Sequence, residues 1–369
     1  MPVPKPKPDP WSVRLPEGEL PSEAVRKIPE LQGKVLAWHA RHGRHDLPWQ
    51  VEDPYAVWVS EVMLQQTQVA TGLYRFPSWM RRFPTLKSLA EATVDEVLKE
   101  WEGLGYYARA RNLHAAAQVI EHDHGGVFPK ERVLRLALPG VGASTASAIG
   151  AFAFGLREAI LDANVLRVWG RWWADEAPEG PAATRSRFFW GWAQAVTPRE
   201  PGQVRAWTQA MMDLGATVCT PRAPACSACP LQASCRAFAL GEQEAWPPPA
   251  RKTKVQQWSL DWAWVLEEGR VAVYQRPAGG PWQGLWALPE MELGSDCGAL
   301  VAEGRHALSH RKIEWTIHRA TLESLKEMPA PIAWVGLEDF SALALPRPLR
   351  AWWEELGLER RLMLFGESS

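Results

Sequence analysis

From about Pro29 to Leu240 apolar positions recur at helical spacing, interrupted at short intervals by Gly and Pro, which predicts a mainly α region. Within it, Asp53-Pro54 reads as an N-cap followed by proline in the first helical turn. At about 100° per residue, Trp58, Val59, Val62, Met63 and Val69 fall on one apolar arc, with Glu61, Gln65 and Gln68 on a polar arc beside it. Past Gln257 the texture changes. Trp258–Leu266 and Arg270–Gln275 flank Glu-Glu-Gly as a predicted hairpin, Arg311–Leu322 and Ile332–Gly336 are further strand candidates, and Leu345–Leu356 is a closing helix. The expected division is a disordered Pro-rich tail over 1–28, a helical domain over 29–240, a stiff basic linker over 241–257 and an α+β domain over 258–360.

Composition adds limits. The chain has 369 residues, 46% hydrophobic and 22% charged, enough for two domains with real cores. A formal charge of −1 gives no bulk attraction to nucleic acid, so any such surface must be local. No run of 18 apolar residues appears and no apolar leader opens the chain, so no membrane contact and a cytoplasmic, nucleoid-associated location are expected. The 22 tryptophans read as core and half-buried surface.

Four of the five cysteines, Cys219, Cys226, Cys229 and Cys235, form a C-x6-C-x2-C-x5-C array. Disulfides are the wrong reading in a reducing compartment. Structural zinc sites usually come as two close pairs across a longer loop, whereas one close pair with flanking single cysteines favours four-thiolate ligation of a 4Fe–4S cluster; zinc stays as the alternative. Cys297 reads as a packed apolar side chain.

From Trp58 to Gly72 the only charged residue is Glu61. A solvated helix face normally carries both signs, so a lone acid among amides points to a sheltered carboxyl whose pKa rises with desolvation. Asp162, in Ile160-Leu161-Asp162-Ala163-Asn164-Val165, is placed to cap the next helix, where backbone donors are expected to lower its pKa. A cap needs no catalysis, but a protonated acid paired with an anionic one is the logic of glycoside cleavage through an oxocarbenium-like transition state. In Leu138-Pro139-Gly140-Val141-Gly142-Ala143-Ser144, Gly140 and Gly142 make a tight turn of the helix-hairpin-helix kind, suited to a nucleic-acid phosphate; a plain helical turn is the alternative. A second Gly-x-Gly turn, Gly103-Leu104-Gly105-Tyr106-Tyr107, precedes Arg109 and Arg111.

These segments, with Leu47-Pro48-Trp49 and Gln209-Ala210-Met211-Met212-Asp213-Leu214-Gly215, together resemble the adenine DNA glycosylase (MutY) family of the endonuclease III, helix-hairpin-helix superfamily over roughly residues 30–240. The resemblance implies a helix-hairpin-helix glycosylase fold with an iron–sulfur loop, followed by a Nudix-like α+β domain. It implies a monofunctional enzyme that excises adenine opposite 8-oxoguanine or guanine in double-stranded DNA, as a monomer. Bifunctional relatives carry a Schiff-base Lys where this chain has Ser144. By the same resemblance Glu61 is the acid, and Asp162 with Asn164 stabilises the sugar cation. Trp49, Gln50, Gln66, Ser144 and Gln209 line the base pocket, and Gln65 and Tyr106 intrude at the lesion. Ser309 and His310 read 8-oxoguanine, with Leu308 standing where the family has Phe. The Nudix hydrolase box is absent after Gly284-Leu285-Trp286, so pyrophosphatase activity is not expected. A glycosylase of another base specificity and a cluster-bearing DNA-binding protein without cutting activity are the rival readings.

Overall fold

The computed structural model of the chain describes residues 20–248, 255–291, 298–308, 311–325 and 331–366. The described residues form two compact units, one within 20–90 and 115–248, the other within 91–114 and 255–366. The helices up to residue 240 are α1 (Ser22–His42), α2 (Pro54–Met63), α3 (Val69–Arg82), α4 (Leu86–Glu91), α5 (Val94–Glu100), α6 (Ala108–Asp123), α7 (Arg132–Ala137), α8 (Ala143–Phe154), α9 (Ala163–Trp173), α10 (Ala182–Val196), α11 (Pro201–Asp213) and α12 (Arg236–Leu240). The first helix starts at Ser22 and keeps Pro29 inside it, so the expected tail does not extend to residue 28.

In the first unit α8 is the centre. Its sequence is small and apolar on every side, so it is buried nearly all round, and it packs against α2, α7 and α11. Arg135 of α7, fully buried, donates to Glu158 beyond the end of α8 and to the Ala146 carbonyl, while Arg132 reaches the other Glu158 oxygen at 2.9 Å. This pairing fixes the hairpin between α7 and α8. The face of α9 that carries Val165, Val168, Trp169 and Trp172 enters a core rich in indoles; Trp172 stacks on Trp192 of α10 at 5.1 Å and 13°. Truncating Trp192, fully buried, to Ala is expected to cost about 3–5 kcal/mol.

Asp53 caps α2 through the Tyr55 and Ala56 N–H groups, as the sequence predicts. The helix then ends early, at Met63, and the chain turns through a left-handed Gln66 (φ 56°) before α3. Glu61, Gln65 and Gln68 therefore do not share one helical face. Nothing in Leu64-Gln65-Gln66-Thr67-Gln68 marks a break, because a left-handed turn here uses neither Gly nor Pro.

In the second unit, β1 (Gln256–Trp264), β2 (Leu266–Glu267), β3 (Arg270–Gln275), β4 (Trp286–Ala287), β5 (Leu300–Leu308), β6 (Arg311–Arg319) and β7 (Ala333–Val335) make two sheets. One has the order β1-β6-β5; in the other β3 pairs with β2, β4 and β7. The expected hairpin shrinks to β2 and β3 around Glu268 and Gly269, both left-handed (φ 48° and 71°). The long first strand leaves it and pairs with β6 in parallel, a long-range choice that local pattern does not encode. The unit closes with α13 (Leu337–Ala342), α14 (Arg347–Glu355) and α15 (Leu358–Gly366), the last running past the expected boundary at 360. Residues 91–114, assigned from sequence to the helical domain, are tied into this unit. Asp95 accepts from Gln275 (2.7 Å) and from the Trp286 indole, and Arg350 donates to Glu102 at 2.7 Å.

Candidate active site

A cavity of about 1170 Å³ opens in the first unit, lined by residues from α1, α2, the 64–67 turn, α8, the α9 cap and α11. It gathers Trp49, Gln50, Glu61, Gln65, Gln66, Ser144, Asp162, Asn164 and Gln209 from five separate stretches of sequence. Glu61, in the last turn of α2, faces this space without a hydrogen bond among the described residues. It is half-buried at the cavity wall. Burial, with the nearby Asp162 charge, pushes its pKa up to about 8.

Asp162 caps α9 as predicted, accepting the Val165 N–H at 2.7 Å, and Asn164 Nδ2 lies 3.4 Å from its other oxygen. Its pKa, however, moves up. Burial outweighs the Val165 and Asn164 donors and the Arg167 charge, so the expectation of a lowered value is corrected. The contrast between the acids survives in another form. Asp162 has donors that favour its anion, whereas Glu61 has none and is raised further by the Asp162 charge.

Ser144 sits in the first turn of α8, and its neighbour Thr145 accepts from the Gln65 amide at 3.3 Å. Gln65 is thus anchored at the cavity wall. Buried Trp49 meets Phe76 edge-on, and Gln50 is tied to the Arg44 carbonyl and the Leu47 N–H. Gln66 is exposed on its left-handed turn. Gly140 is exposed and left-handed (φ 74°), whereas Gly142 is extended and precedes α8; both lie in the turn, outside the cavity lining. Tyr106 belongs to the other unit, half exposed with φ 48°, between Gly105 and an arginine, Arg109, that lies over its ring. Ser309, His310 and Cys297 lie outside the described residues.

Three residues to which sequence reasoning gave no role, Asp213, Arg167 and Gly215, hold this wall. Asp213, almost wholly buried, accepts from the Arg44 guanidinium and backbone and from Gln209 Nε2 at 2.8 Å; Arg44 and His39 hold its pKa below the usual carboxylate range. Its position four residues after Gln209 was the available signal. Arg167, one turn past Asn164, donates to the Asn164 carbonyl oxygen of the side chain (2.7 Å), to the Gly215 carbonyl and to the Cys219 carbonyl. Gly215 lets α11's extension approach: a Cβ there would sit 2.7 Å from the Asn164 Cβ.

That same carbonyl of Cys219 starts the cysteine loop. All four thiols, unpaired, line one small cavity of about 30 Å³ with Arg171, whose Nη1 is 3.4 Å from the Cys219 sulfur. Buried Arg171 also donates to the Thr220, Pro221 and Trp246 carbonyls and so fastens the loop. Burial and the neighbouring thiols push the Cys229 thiol up to about 12. Among the described residues no helix is long and apolar enough to cross a membrane.

Residues 59–193 match the HhH-GPD superfamily of base excision DNA repair proteins, and residues 261–355 match the NUDIX domain. The chain is 34% identical over 410 residues to an adenine DNA glycosylase of Homo sapiens, covering 88% of this chain and 74% of that protein. It is 29% identical over 334 residues to one of Buchnera aphidicola, covering 85% and 93%. Among solved structures, a thermostable thymine-DNA glycosylase superposes with a TM-score of 0.52 at 26% identity, covering 59% of this chain and 99% of that one. By these matches the chain belongs to the adenine DNA glycosylase family of base excision DNA repair.

Proposed function

We propose that this cavity excises adenine paired with 8-oxoguanine or guanine from double-stranded DNA, after the nucleotide leaves the stack. The observation that carries the reading is the pair of acids in one cavity, Glu61 pushed up to about 8 and Asp162 provided with donors that favour its anion. Glu61 gives its proton to adenine N7. The bond from C1′ to the base nitrogen breaks with its electrons going to the base, and positive charge develops on the sugar. Asp162, oriented by the Val165 N–H and Asn164, stabilises that cation, and the Glu61 carboxylate then takes a proton from the water that adds to C1′. Ser144 offers no amine at the cavity wall, so the enzyme leaves an abasic site without cutting the strand.

The Gly140–Gly142 turn suits a backbone phosphate, and Gln65 and Tyr106 suit contacts at the lesion pair. The C-terminal domain, through Ser309 and His310, would read 8-oxoguanine, and the protein would act as a monomer. The four cysteines fit a 4Fe–4S cluster. Their four soft sulfur donors surround one space. Hydrolysis of an N-glycosidic bond is redox-neutral, so a cluster held by Cys219, Cys226, Cys229 and Cys235 would supply a crosslink to the loop rather than electrons. A duplex with one 8-oxoguanine:adenine pair tests the reading. An alkali-labile site at the adenine is expected; binding without base release, or nicking without alkali, would overturn it.

A further inference from the structure

Along α11, Arg205, Gln209 and Asp213 stand four residues apart on one face and run from the mouth of the cavity to behind its wall. Exposure falls in that order: the Arg205 side chain is 40% exposed, Gln209 is half-buried and Asp213 is 1% exposed. A nucleotide entering base-first places its base at the level of Gln209 and Glu61. Its flanking phosphates, too polar to follow, stay at the level of Arg205. The cavity lining has two arginines among the described residues, Arg44 and Arg205. Arg44 is committed to buried Asp213. Arg205 is held by Glu52, which is 78% exposed, and its Nε is buried without an acceptor. An exposed pair of this kind contributes little to stability and is readily exchanged.

We propose that Arg205 binds the backbone phosphate beside the extruded nucleotide, and that Glu52 is its built-in competitor, neutralising the mouth until DNA displaces it. This rests on the base-extruding reading above. Glu52 lies in the two-residue spacer between Gln50 and the α2 cap, so the competitor is carried by the same short loop that presents Gln50 to the cavity.

The test uses full-length protein carrying Glu61→Gln, so that the duplex stays intact, and follows dissociation constants between 50 and 200 mM KCl. On a duplex with one 8-oxoguanine:adenine pair, adding Arg205→Gln should weaken binding severalfold at low salt and make the log–log salt slope shallower by about one, the contribution of one phosphate contact. Arg205→Lys should keep the slope, and Glu52→Gln should tighten binding severalfold. On a fully paired duplex without a lesion, where no nucleotide is extruded, Arg205→Gln should change little. An unchanged slope on the lesion duplex, or an equal change on the plain one, overturns the assignment of Arg205. Equal tightening by Glu52→Gln with and without Arg205 overturns the competitor, since plain repulsion does not need the arginine. Melting curves establish that each variant is folded. Failure of the wild-type chain to release adenine would count against the enzyme reading, whereas these slopes bear on Arg205.

Discussion

Glu61 and Asp213 are both enclosed carboxyl groups of the catalytic unit, and their surroundings drive them in opposite directions. Asp213 is the more deeply buried, yet Arg44 and His39 hold its pKa below the ordinary range. Glu61 faces a cavity with no cation against it and an acid nearby, and it rises to about 8. Burial by itself therefore does not decide what an acid does. The partner decides: the acid given a cation behind the wall becomes structure, and the acid denied one at the wall becomes a proton donor.

The largest effect expected from breaking this contrast is at Glu61. Glu61→Gln keeps the shape and removes the exchangeable proton, so single-turnover excision should fall by about 10²–10⁴-fold or more while affinity for the 8-oxoguanine:adenine duplex stays nearly intact. In the wild type the rate should decline as pH rises through about 8, because the proton is then lost from the donor. Wild-type rates in the variant would remove Glu61 from the chemistry. The matching change behind the wall, Asp213→Asn, should read out as stability. It leaves Arg44 without its counter-charge, at a cost on the order of 3 kcal/mol, visible as a lower denaturation midpoint. Because the Asp213 pKa is lowered on folding, its contribution is present above the unfolded carboxylate pKa and is lost as pH falls through that range. If the amide variant melts like wild type, the two acids are not divided in this way.

The wall was more legible in sequence than what lies behind it. Glu61 stood out because a charge-free stretch surrounds it, and Asp162 because a cap has a local signature. Asp213, Arg167 and Arg44 act through tertiary partners 169 residues away in one case and 52 in another, and no window of sequence contains such pairs. The same reason hides the ties of segment 91–114 to the second unit: its Asp95 and Glu102 find partners 180 and 248 residues on. The rise in the Asp162 pKa was missed for a related cause. Its donors are local and visible; its burial is made by the whole unit.

A smaller effect follows from the close approach of α11's extension to the α9 cap. Gly215→Ala puts a methyl 2.7 Å from the Asn164 Cβ and 2.9 Å from its carbonyl oxygen, too close for either backbone to stay in place, so the cap must shift. Asn164 orients Asp162, and Arg167 joins both Asn164 and the Gly215 carbonyl to Cys219. A displaced anion loses part of its hold on the sugar cation. Excision should fall about 10- to 100-fold with the Glu61-dependent decline near pH 8 unchanged. A shift of that decline instead would mean that the methyl had disturbed the donor rather than the anion.

The smallest effect is also the sharpest on the comparison, because it asks Glu61 to behave in stability opposite to Asp213. Folding raises the Glu61 pKa above its unfolded value, so the folded state binds the proton more tightly. Stability from this group is whole below the unfolded carboxylate pKa and is lost as pH rises toward about 8. Glu61→Gln is neutral at every pH and escapes that loss. Relative to wild type its melting temperature should therefore climb between pH 5 and pH 8, by a few degrees, since the carboxyl also touches cavity water and the full burial penalty does not apply. Asp213→Asn should show no such gain, its deficit being largest where the carboxylate is ionised. A constant gap between Glu61→Gln and wild type across that range would mean that folding does not raise the Glu61 pKa, and the proton it is assigned in catalysis would then have to come from elsewhere.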